Sequence, residues 1–100
     1  RNKRIALFGA SALATYIVCF LNTEQLNKIV YIFDNDVDKH QKGLFNCEVI
    51  ISNPENIDKC DFDSLLITTD LFSNEICQQL NQLGIDKNKI TSISVLIDNI

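Results

Sequence analysis

The sequence predicts a single doubly wound α/β domain, a mainly parallel sheet of about five strands with helices on both faces. Three observations carry that prediction. Ile5–Phe8, Ile29–Phe33 and Ser64–Thr69 are apolar runs of the kind that strands buried on both faces require. Helical patterns alternate with these runs, which implies crossovers between parallel strands. Turn chemistry stands at the carboxyl end of each run, at Gly9–Ser11, Asp34–Asp36 and Thr68–Asp70.

Each element has its own warrant. Arg4–Phe8 opens the chain as a buried strand. Ala12–Asn22 follows as a helix that is apolar nearly all round, and so should be largely covered. Ile29–Phe33, "IVYIF", is the second buried strand and ends at "DND". The polar loop "VDKHQKG" leads to a short strand near Cys47–Ile51. In "SNPENI" Ser52 or Asn53 suits a helix cap and Pro54 the first turn. "SLLITT" is the third buried strand. Ser73 caps the next helix, with Phe72 and Cys77 placed as a hydrophobic staple. Phe72, Ile76, Leu80 and Leu83 share one face, and Gly84 ends that helix in a left-handed conformation. Ile90–Ile93 is a last strand.

Composition bounds the function. The 100 residues are 46% hydrophobic and 22% charged, with a net charge of −4. No basic stripe is present, which excludes a nucleic-acid groove. The chain opens on Arg1, so residues 1–100 read as one domain cut from a longer chain, with "RNKR" as a solvated linker end. Ile5–Leu21 carries no charge and invites a membrane reading. It is shorter than the roughly 20 residues a span needs, and the α/β units would lack a first strand without it. Cys19, Cys47, Cys60 and Cys77 form no C-x-x-C motif, and the chain has one histidine. A zinc site is therefore not expected. The cysteines read as reduced thiols, three of them in apolar company, in a cytoplasmic protein.

In doubly wound sheets ligands bind beyond the carboxyl ends of the strands, where strand order reverses. The first such turn is "RIALFGASALA". In the register of the dinucleotide fingerprint G-x-G-x-x-G it places Gly9, Ser11 and Ala14. Gly9 allows the tight turn and Ala14 the close packing of helix on strand. Ser11 stands where a second glycine would let the backbone approach a pyrophosphate. Its side chain narrows that approach, so NAD should bind weakly. Its hydroxyl and the helix N-terminus can still hold an anion. Equally, Gly9 simply turns the chain and Ser11 caps the helix. Asp34 lies at the distance and position of the acid that binds a ribose hydroxyl. It fits an Asx turn with Asn35 just as well.

Catalytic signals are thin. No Tyr-x-x-x-Lys pair is present, Tyr16 and Tyr31 suit core or rim, and His40 reads as solvated. Asp58, Asp61 and Asp63 suit a loop, and Asp70 a helix start. No nucleophile–base pair emerges.

"RIALFGAS", "IVYIFDND", "CEVIISNPENI", "DFDSLLITT" and "CQQLNQLGIDKNKI" occur in the order of a family pattern. The chain from Arg4 to Ile93 resembles the Rossmann-like domains of bacterial surface-polysaccharide biosynthesis. Such domains accompany nucleotide-sugar dehydratases, hexapeptide sugar acetyltransferases and sugar methyltransferases. The resemblance implies a module that binds a nucleotide or nucleotide-sugar, a UDP-sugar or NAD(P), beside an adjoining catalytic domain. The candidate binding residues are Gly9, Ala10, Ser11, Asp34, Asn35 and Thr69. The sequence departs from the family at Ser11, where glycine is usual, and at Asn35, where aspartate often stands. Both departures suit the alternative, a non-catalytic interaction domain with a vestigial cleft. A third reading, a complete small oxidoreductase, lacks catalytic residues here.

Overall fold

The computed structural model describes residues 3–44, 47–68 and 73–91. Its five strands are β1 (Ile5–Phe8), β2 (Ile29–Phe33), β3 (Ile51–Ser52), β4 (Ser64–Ile67) and β5 (Ile90–Thr91). They form one sheet in the order β3-β2-β1-β4-β5, and every neighbouring pair is parallel. The three long apolar runs are therefore the adjacent central strands, as their composition requires. Burial agrees: all four residues of β1 are buried, and Leu65 and Leu66 of β4 are fully so.

The pleat sends alternate residues of β1 to opposite faces, and each face has its own core. Ile5 and Leu7 pack with Ile32, Leu66 and the helical residues Ile17 and Val18. Ala6 and Phe8 pack with Phe33, Phe62, Leu65 and the helical residues Ile76 and Leu80. Helix α1 (Ala12–Phe20) covers the first face and α3 (Ser73–Gln82) the second. This is the layering of a Rossmann-type α/β fold.

The helix after β1 departs from expectation twice. It ends at Phe20 because Leu21 adopts an extended backbone and turns into the core, at 8% exposure. Asn22 then caps a separate short helix, α2 (Thr23–Leu26). The Asn22 side chain accepts from Gln25 N at 2.8 Å, and Gln25 Oε1 accepts from Asn22 N at 2.9 Å. This reciprocal capping satisfies two amides at the start of α2 that have no intrahelical acceptor. Nor is α1 largely covered. Only Ala14, Ile17 and Val18 are buried, while Tyr16 and Phe20 are 72% and 70% exposed. Their hydrophobicity reports no burial, and Tyr16 is neither core nor rim.

The remaining connections are tighter than the pattern suggests. The short strand is Ile51–Ser52 rather than Cys47–Ile51, since Ile50 makes only an isolated antiparallel bridge with Gly43. Ile51 N donates to Lys42 O at 2.8 Å, and Gln41 N donates to Ile51 O at 2.9 Å. Gln41 takes a left-handed φ of 67° to make that return. Asn53 caps the next turn by accepting from Glu55 N at 2.8 Å, and Pro54 sits at its first position. That turn, Pro54–Lys59, is 3-10 rather than α, and Asn56 breaks its regularity. In α3, Ile76 and Leu80 are buried, and Gly84 has the left-handed φ of 86° its position demands. The expected cap and staple at the start of α3 involve Phe72 and the Ser73 side chain, which lie outside the described residues. Ser92 and Ile93 of the last strand lie outside them too. Cys47 and Cys60 are half-buried against the two cores, whereas Cys19 and Cys77 are exposed, and all four are free thiols. Among the described residues no helix is long and apolar enough to cross a membrane.

Candidate functional site

Strand order reverses between β1 and β4, since the chain runs outward from β1 on both sides. At the carboxyl end of β1, Gly9 N donates to Phe33 O at 2.7 Å, and Thr68 N donates to Phe8 O at 2.9 Å. β1 thus stays bonded to both neighbours to its last residue. Gly9 then turns the chain at φ 115°, a conformation that side chains rarely adopt. Ser11 follows as the cap of α1. Its Oγ accepts from Ala14 N at 3.4 Å and donates to Thr68 O. The one hydroxyl proton that the sequence offers to an anion is thus engaged at the end of β4. The amides at the start of α1 have no intrahelical acceptors. No acidic residue occupies that first turn, so its positive end is not offset from within the helix.

The Asp34 carboxylate bonds on both sides, to its own turn and to the turn after β1. Oδ1 accepts from Asp36 N at 2.8 Å, the Asx turn foreseen from the sequence. Oδ2 reaches across to β1 and accepts from Ala10 N at 2.7 Å. The carboxylate is mostly buried, with its side chain 14% exposed. Lys39 returns from the loop, places Nζ 3.0 Å from Ala10 O and lies 3.7 Å from Asp34 Oδ2. His40 is not simply solvated: its Nε2 stands 2.7 Å from Asp34 O, so it donates there from that nitrogen. The loop "VDKHQKG" therefore folds back as a brace behind the two turns. Thr68, fully buried, shares its hydroxyl proton between Phe8 O, at 3.1 Å, and Gly9 O.

Beside these groups lies an open cleft of about 390 Å³ at the carboxyl edge of the sheet, in the size range of small-molecule sites. Gly9, Ser11, Asp34 and Asn35 line it, joined by Lys39 and by Gln79 of α3. Ala10 lies behind the lining, with its amide and carbonyl held by Asp34 and Lys39. Five of the six residues singled out from the sequence are thus brought together. Thr69 lies outside the described residues. Thr68 stands in the turn the sequence marks after the third run, whereas Lys39, His40 and Gln79 carry no motif that singles them out. Lysine and histidine in a polar loop read as solvated, and no periodicity marks where a loop returns. Among the described residues, no cluster of three or more His, Cys, Asp or Glu is placed to hold a metal.

The crystal structure of UDP-D-quinovosamine 4-dehydrogenase from Vibrio fischeri is similar in fold. It aligns at a TM-score of 0.61 and 15% identity, over 99% of this chain and 86% of that one. At that identity the likeness carries the fold alone. No curated protein matches the sequence. The family described as C2185-like, N-terminal matches residues 1–91, over both turns, the cleft and the whole sheet, and the chain belongs to that family.

Proposed function

We propose that the cleft binds a nucleotide or nucleotide-sugar, and that the domain serves a sugar-modifying catalytic domain adjoining it. One observation carries the reading. The Asp34 carboxylate after β2, Ser11 at the N-cap of α1 and the Lys39 ammonium line one cleft at the reversal of strand order. Helix amides and a lysine suit phosphate, and a carboxylate suits ribose hydroxyls. The fold shared with a UDP-sugar dehydrogenase supports the same class of ligand.

The test is a melting curve with UDP-sugars and NAD at millimolar concentration. A ligand that binds only the folded state raises the melting temperature. Lys39→Ala should remove much of the shift, because the phosphate loses its cation. Asp34→Ala is less informative, since it also frees the amides of Ala10 and Asp36.

A second reading has its own observation. The Ser11 hydroxyl, the Asp34 carboxylate and the Asn35 carboxamide already have partners within the protein. Tyr16 and Phe20, meanwhile, face solvent one turn apart on α1. On this reading the domain positions a catalytic neighbour and the cleft is vestigial. An unchanged melting curve across the nucleotide panel would favour it.

A further inference from the structure

Asn35 and Gln79 approach the cleft from opposite walls, one from the turn after β2 and the other from α3. Their side chains form a closed reciprocal pair. Asn35 Nδ2 donates to Gln79 Oε1 at 2.8 Å, and Gln79 Nε2 donates to Asn35 Oδ1 at 2.9 Å. Asn35 is exposed and Gln79 half-buried, so water could serve either carboxamide. Such a pair gains little over solvation, and ordering two side chains costs rotamer freedom. Stability alone gives the pair no purpose.

Its chemistry suggests one. A carboxamide presents one donor beside one acceptor in a single plane. Nucleobase edges carry the same pattern: uracil N3–H beside O4, adenine N6–H beside N1, guanine N1–H beside O6. Carboxamides meet such edges through two hydrogen bonds at once. A base can therefore replace one carboxamide as the partner of the other with no net loss of hydrogen bonds.

We propose that the Asn35–Gln79 pair is the base-reading element of the cleft, and that a nucleobase edge inserts by exchanging with one of the two carboxamides. The inference rests on the nucleotide reading above and adds what that reading lacks. Phosphate and ribose are common to all nucleotides, whereas a base edge separates a nucleotide from a plain sugar phosphate.

The experiment is a calorimetric titration of UMP, GMP and ribose 5-phosphate. Wild type should bind both nucleotides about tenfold more tightly than ribose 5-phosphate, the effect of one good bidentate contact. Asn35→Ala with Gln79→Leu should erase that ratio by weakening both nucleotides about tenfold. Gln79→Glu replaces the donor by a second acceptor. The guanine edge then offers two adjacent donors, N1–H and the N2 amine, so GMP should gain over UMP by about tenfold. Neither side chain is buried in the core, so the variants should keep the wild-type circular dichroism spectrum. If all three ligands bind but the ratios do not move in any variant, the base is read elsewhere and this inference falls while the nucleotide reading stands. If none of the three binds wild type, both fall.

Discussion

Ser11 and Thr68 tie the turn after β1 to the end of β4, and each uses a single hydroxyl to do it. Ser11→Gly cuts the tie on one side. It removes a cap, at a few tenths of a kcal/mol against glycine, and a donor to Thr68 O. The expected loss is about 1 kcal/mol, or about 4–8 °C in a domain of this size. The same change opens the approach to the backbone, so NAD affinity should rise as stability falls. Calorimetric melting and an NAD titration measure the two effects. A fall in stability with no gain in affinity would make Ser11 a structural tie and nothing more. Cys60 tests local electrostatics. Burial, and secondarily the Asp58 charge, raise its thiol pKa above the ordinary value. A thiol raised on folding favours the native state below the unfolded pKa, and that contribution is lost as pH climbs past it. Cys60 should therefore react with iodoacetamide more slowly than exposed Cys19 and Cys77 at mildly alkaline pH, as read by mass spectrometry.

Two connections show left-handed backbone at residues of opposite aptitude. Gly84 ends α3 at φ 86°, and nothing lies within 4 Å of where its Cβ would stand. Gly84→Ala therefore meets no clash and reports conformational strain alone, a loss of about 1–2 kcal/mol. Gln41 bears the same kind of strain at φ 67°. Gln41→Gly should raise stability by up to about 1 kcal/mol. Urea denaturation of both variants checks the signs, and two losses would mean that the Gln41 side chain does something its backbone does not reveal. Legibility followed the same line between local and returning structure. Gly84, Pro54, Asn53 and the Asp34 turn announced themselves because their roles are set by neighbours in sequence. The break after Phe20 was hidden because Leu21 continues the apolar helical pattern, and only its extended backbone ends the helix. The brace formed by Lys39 and His40 was hidden for a different reason. It depends on where the loop returns, which rests on the Lys39 contact with Ala10, 29 residues back along the chain.

The whole molecule is two cores sharing one sheet, and β1 supplies both. Leu7 is fully buried at the centre of the first. Leu7→Ala should cost about 2–5 kcal/mol, a large part of the 5–15 kcal/mol typical of a whole domain. Chemical denaturation should show the midpoint fall with little change in slope. This level was the most legible, because apolar runs of four or five residues that end in turn residues suit central parallel strands, and those strands carry both cores. The exposed Tyr16 and Phe20 mark the limit, since hydrophobicity predicts a buried face only where something is present to bury it. The loop return at Gln41 and Lys42 bears on a hazard every open sheet faces. An uncovered edge offers its amides and carbonyls as a template on which a foreign strand can add. At β3 that template is already taken, because Ile51 spends its outward amide and carbonyl on the chain's own loop. Pro54, two residues beyond the strand, has no amide to offer. This flank of the sheet is thereby closed to strand-by-strand polymerisation, and the strained φ of Gln41 is part of how the closure is made.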